Sequence, residues 1–108
     1  MDNAIYGSAK AWVNFNGASG AIRASYNVSS VTRNTTGNYT VNFTTAFTDA
    51  NYSAVFGGQG GSVQTLGYLC GAGNNATVQQ TASALPCFGS NGANSQVDIV
   101  VASVAVFR

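Results

Sequence analysis

Ionisable side chains are nearly missing from this sequence. Its 108 residues include four Lys/Arg, three Asp/Glu and no His, and none of the acidic residues is Glu. A typical globular domain is about one-quarter charged. A formal net charge of +1 with scattered basic residues gives no electrostatic footprint for a phosphate backbone, so nucleic acid is not an expected partner. So little charge also does little to hold identical copies apart in solution.

The same scarcity narrows the chemistry. Without His, a zinc site or a histidine-activated nucleophile lacks its usual ligand or base. Asp49 and Asp98 are the only carboxylates away from the N-terminus. They could in principle pair as a glycosidase does, but Asp49 sits in a Thr-Asp-Ala-Asn stretch that reads as a turn cap. Neither catalysis nor a cofactor is expected.

Long apolar runs are also missing. The longest, over 97–107, is interrupted by Asp98 and Ser103 and falls well short of the roughly 20 residues that span a bilayer. Residues 1–8 carry no charged leader followed by an apolar core, so neither secretion nor membrane insertion is expected. The two cysteines, Cys70 and Cys87, allow one disulfide or two buried thiols. The second arrangement is the commoner in proteins assembled inside a cell and is preferred here.

What the chain does contain is Asn, Thr, Ser, Gly and Ala, with Val, Tyr and Phe as its larger apolar residues. This mixture favours strands. Alternation with period two predicts strands over 9–16, 21–28, 38–45, 51–56 and 96–107, with shorter ones over 30–33, 62–70 and 76–81. Turns are expected at 17–20, 34–38 and 49–51. A glycine-rich connection is expected at 57–61, and a loop over 82–94 around Pro86, the only proline. The last strand is apolar on both faces, Ile99 sharing one with Val101 and Ala102 lying on the other, so it belongs in the middle of a sheet. The expected fold is all-β: an antiparallel β-sandwich or jelly-roll-like single domain over 9–108, preceded by an arm over 1–8.

Several motifs dissolve on inspection. Six Asn-x-Ser/Thr triplets, starting at Asn27, Asn34, Asn38, Asn42, Asn51 and Asn75, follow from composition, and several fall inside expected strands. The run Gly57-Gly58-Gln59-Gly60-Gly61 lacks the Lys-Ser/Thr and helix of a phosphate loop. Tyr39, Phe43, Tyr52 and Phe56 alternate as core residues should. Trp12 lies opposite the small apolar face of its strand, so it packs between subunits or stands exposed. An exposed Trp beside amides suits a sugar, whose flat face stacks on the ring while its hydroxyls bond the amides. Candidate binding residues are therefore Trp12 and the loop amides Gln59, Asn74, Asn75, Asn91 and Asn94, on loops at 57–62, 71–76 and 89–95.

Three blocks, Lys10-Ala-Trp-Val-Asn-Phe-Asn-Gly17, Ala21-Ile-Arg-Ala-Ser-Tyr-Asn-Val-Ser-Ser30 and Thr36-Gly-Asn-Tyr-Thr-Val-Asn-Phe-Thr-Thr-Ala46, occur in an order that resembles a module of tailed-phage virion proteins. Those proteins are mostly labelled tail fibre or tail-fibre-like, many of them from viruses of marine bacteria and cyanobacteria. The resemblance covers about the first half of the chain, through Tyr52. It implies a β-rich, trimeric component of the virion surface, in contact with other virion proteins and a host-surface glycan. It carries over no catalytic residue. The motif begins at Lys10, where those relatives hold an anchoring segment, which brings in a second reading: a capsid decoration protein that clamps the shell. A stand-alone carbohydrate-binding module is the third.

Overall fold

The computed structural model describes residues 8–59, 68–71, 80–90 and 96–108. It is all-β, with two antiparallel four-stranded sheets packed face to face, in agreement with the expected sandwich. The strands are β1 (Ala11–Asn16), β2 (Ala21–Tyr26), β3 (Val28–Thr35), β4 (Asn38–Phe43), β5 (Ser53–Gln59), β6 (Tyr68–Gly71), β7 (Ala84–Ser90) and β8 (Val101–Phe107). The first sheet runs β2-β1-β8-β5 and the second β3-β4-β7-β6.

Alternation places the core. Ala11, Val13 and Phe15 of β1 and Ala102, Val104 and Val106 of β8 face inward from the first sheet. Tyr39, Val41 and Phe43 of β4, with Leu85 and Cys87 of β7, meet them from the second. Phe15 and Tyr39 make an edge-to-face pair with centroids 5.3 Å apart. Phe43, Phe47 and Tyr52 form a second aromatic cluster, with centroids 4.8 to 5.6 Å apart. As expected, β8 is central, hydrogen-bonded to β1 on one side and β5 on the other.

Four expectations need correcting. The strand over 21–28 is broken at Asn27, whose φ of 57° is left-handed. Asn tolerates that region better than other non-glycine residues, and here it turns the chain from one sheet to the other. Its Nδ2 donates to the carbonyls of Lys10 and Thr45, and its Oδ1 accepts the Thr45 N–H at 2.8 Å. A register shift in β2 opposite Asn14/Phe15 also breaks the alternation. Ile22 and Val28 therefore pack inward while Tyr26 faces out.

The stretch over 82–94 is largely a strand. Leu85, Pro86 and Cys87 are buried in β7, with Pro86 opposite Thr40. Proline lacks the N–H for a ladder, which argued against an inner strand. The described pairing of β7 with β6 ends one residue away, at Cys87 opposite Gly71. Similarly, β5 continues through Gly57 and Gly58 to Gln59, where a loose connection was expected.

Finally, the last strand starts at Val101, five residues later than expected. Residues 97–100 are irregular, and they shift the phase so that Ile99 and Ala102 both point inward. This segment closes one end of the sandwich. Gly17 donates to the Ile99 carbonyl at 2.7 Å, and Val97 donates to the carbonyl of Gly89 at 3.1 Å. A side chain at Gly17 or Gly89 would run into the backbone of residues 97–99, so both positions require glycine for close approach.

The expected strands over 62–70 and 76–81 fall mostly outside the described residues, and Gln80 and Thr81 are not in a strand.

Candidate functional site

The two outer faces of the sandwich differ in chemistry. On the second sheet, β3 and β4 set Ser30 opposite Asn42 and Thr32 opposite Thr40. These side chains bond one another: Asn42 Nδ2 donates to the hydroxyls of Ser30 and Thr32 at 3.1 and 3.2 Å. Asn34 Nδ2 donates to Asn38 and to Thr40 at 3.3 and 3.1 Å. The result is a neutral ladder of amides and hydroxyls that satisfies much of its own hydrogen bonding.

On the first sheet, the register lines up Tyr26, Trp12, Ala105 and Val55 in one row across four strands. The next row is Ala24, Asn14, Ser103 and Gly57. Trp12, Tyr26 and Val55 are 39%, 57% and 60% exposed, and they are the large hydrophobic side chains most open to solvent among the described residues. All three lie in that one row. Trp12 and Val55 flank a hollow of about 470 Å³ floored by Ala105, Ser103 and Gly57. Its polar rim is Asn14, which donates to the Ser103 hydroxyl at 3.3 Å and accepts from Arg23 at 3.4 Å. Arg23 is also anchored to the Val100 carbonyl at 2.9 Å.

The carboxylates are occupied elsewhere. Asp98 receives Arg33 through two bonds of 2.8 and 3.1 Å, together with the Gly37 N–H at 2.9 Å and the Tyr39 hydroxyl at 3.0 Å. The Arg33 hydrogen bonds hold its carboxyl below the usual range, against the opposing effect of partial burial. Burial pushes the Tyr39 phenol up to about 12, and the Tyr52 phenol likewise. Asp49 caps its turn by accepting the Asn51 N–H at 2.8 Å, as expected, and also takes two bonds from Arg108 at 2.9 and 3.2 Å. Arg108 is the main cause of its lowered acidity range. Among the described residues no cluster of His, Cys, Asp or Glu is arranged to hold a metal ion, and no helix is long and apolar enough to cross a membrane.

Of the candidate binding residues, Trp12 is exposed on the first sheet. Gln59 ends β5 opposite Val101, and its side chain lies outside the described part. Asn74, Asn75, Asn91 and Asn94 also lie outside the described residues. Cys87 is fully buried in β7. The register sets Cys70 against Phe88, and Cys87 against Gly71. Reading the sequence missed Tyr26, Val55, Ala105 and Ser103 as neighbours of Trp12, because only strand pairing brings together positions so far apart in the chain.

Comparison with protein-family models, curated proteins and solved structures returns no match to this chain.

Proposed function

We propose that this protein is a structural module of a tailed-phage virion, tail-fibre-like, that acts by surface binding and assembly. The observation that carries the reading is the apolar row Tyr26, Trp12, Ala105 and Val55, presented together on one sheet face with Arg23 at its edge. Exposed apolar side chains gathered in one place mark an interaction surface more often than solitary ones do. The engagement of both Asp49 and Asp98 with arginines supports a structural role for the acidic groups. The resemblance of the blocks from Lys10 to Ala46 to phage virion modules supplies the biological setting. In that setting the module contacts other virion proteins and contributes to recognition of a host-surface glycan.

The test is localisation. Gold-labelled antibody or cryo-electron microscopy of purified particles is expected to find the protein on the tail, and labelled protein is expected to bind host cells. Protein spread over the shell, with no binding to cells, would replace this reading with capsid decoration. Absence from purified particles would reject both.

A further inference from the structure

The β1–β2 register pairs Asn14 with Ala24 and Phe15 with Ile22, which leaves Arg23 as the extra residue of a bulge. Strict alternation would set Arg23 on the face opposite Ala24. The bulge instead sends it outward, where its guanidinium reaches over β1 to the Asn14 amide and to the carbonyl of Val100, just before β8. Bulges recur where a strand must re-aim one side chain, often beside a binding site. Arg33 and Arg108 each hold a carboxylate, whereas both acceptors of Arg23 are neutral. Arginine stays positively charged in proteins and presents five N–H donors. Arg23 therefore keeps donors and a full charge in reserve, tethered through Asn14 to the rim of the Trp12 hollow.

We infer that the Trp12 hollow and Arg23 together form a subsite for an acidic saccharide, a uronic acid whose ring packs on Trp12 and whose carboxylate meets the Arg23 guanidinium. This deepens the proposed part in recognising a host-surface glycan and rests on it. Three features select the occupant. Trp12 and Tyr26 stand exposed and directly opposite each other in the register, an aromatic surface on which a sugar ring stacks. The uncompensated guanidinium favours an anion, and its planar fork matches a carboxylate. Finally, β1 and β8, which floor the hollow, are each paired on both sides. An extended peptide would find no open backbone edge there to pair with, and a saccharide needs none.

Trp12 is the only tryptophan, so its emission reports occupancy directly. The full chain is titrated at low salt with tetragalacturonate and tetramannuronate, and with each tetramer after carboxyl reduction, which removes the charge and keeps the rings. The expected result is a saturable emission change, with at least one uronate bound about five-fold tighter than its reduced form, the scale of an exposed ion pair. Roughly 0.5 M NaCl should erase that preference by screening. Arg23→Gln should also erase it while leaving the reduced tetramers bound as before, and Arg23→Lys should retain part of it. Gly57→Leu should weaken every tetramer by filling the hollow; a Cβ there meets only the Ser103 Cβ, at 3.9 Å, so the sheet has room for it. Circular dichroism and thermal midpoint confirm the fold of each variant. Silence toward both uronates at roughly 10 mM overturns the inference. So does equal binding of charged and reduced tetramers, or an unchanged preference in Arg23→Gln. A tetraglutamate peptide bound as tightly as the uronates also overturns it, and assigns the face to acidic peptides. A chain found on the tail yet blind to uronates loses this inference alone. One that binds uronates yet is absent from particles loses the virion reading alone.

Discussion

Tyr39 and Asp98 are joined across the end of the sandwich by a 3.0 Å hydrogen bond from the phenol to Oδ1, and the same phenol accepts the Ile99 N–H at 3.2 Å. One buried hydroxyl thus ties β4 to the segment that leads into β8. Removing it leaves the Ile99 N–H without its acceptor in a buried site. Tyr39→Phe is expected to cost about 1–3 kcal/mol in urea unfolding. Asp98→Ala, which strands Arg33, Gly37 and Tyr39 together, is expected to cost more. Equal stability of wild type and Tyr39→Phe would mean that this bond is not formed.

The same cluster sets the pH range. The folded-state pKa of Asp98 is depressed, so its contribution is present above the unfolded value, near 4, and is lost as pH falls through the folded one. Tyr39 and Tyr52 are raised from 10 to about 12, so their contribution is full below pH 10 and declines as pH climbs toward 12. Stability by chemical denaturation is expected to be flat between these limits and to fall outside them. Asp98→Asn should flatten the acid limb, and an unchanged limb would place the acid sensitivity elsewhere.

Asn27 carries both a left-handed backbone and three side-chain hydrogen bonds. Asn27→Ala is expected to lose about 1–3 kcal/mol through strain and lost bonds. Asn27→Gly should recover the backbone part only, giving an intermediate unfolding midpoint. A glycine variant no better than alanine would remove the strain explanation.

Leu85 separates the two views of residues 82–94. A loop leucine could be truncated at little cost, whereas a residue 1% exposed in β7 could not. Leu85→Ala is expected to destabilise by about 2–5 kcal/mol. A midpoint within error of wild type would return that stretch to the surface.

Cys87 is expected to resist iodoacetamide in the native protein and to react in urea, with mass spectrometry reading the modified site. Dithiothreitol should leave the thermal midpoint unchanged. A clear drop with reductant would reveal a disulfide.

Much of the architecture could be read from alternation alone. Ala11, Val13 and Phe15, and then Tyr39, Val41 and Phe43, recur at every second position and lie in the core. The doubly apolar last strand was placed inside a sheet, as found. Failures occurred where the two-residue period breaks: at the left-handed Asn27, at the β2 register shift, and at the irregular stretch before Val101. Each reverses inside and outside for the residues that follow. Pro86 hid β7, because a lone proline signals a breaker until its neighbours in space are known. The surface around Trp12 was half legible. Its exposure follows from its own strand, but Ser103 and Ala105 stand some ninety residues away in the chain.

The amide and hydroxyl ladder over Ser30, Thr32, Thr40 and Asn42 has a consequence for hydration. Side chains that already bond one another offer a neighbour few open donors and little dry area, so that side of the sandwich stays wet. Dry area is left to the opposite broad side, around Trp12 and Val55.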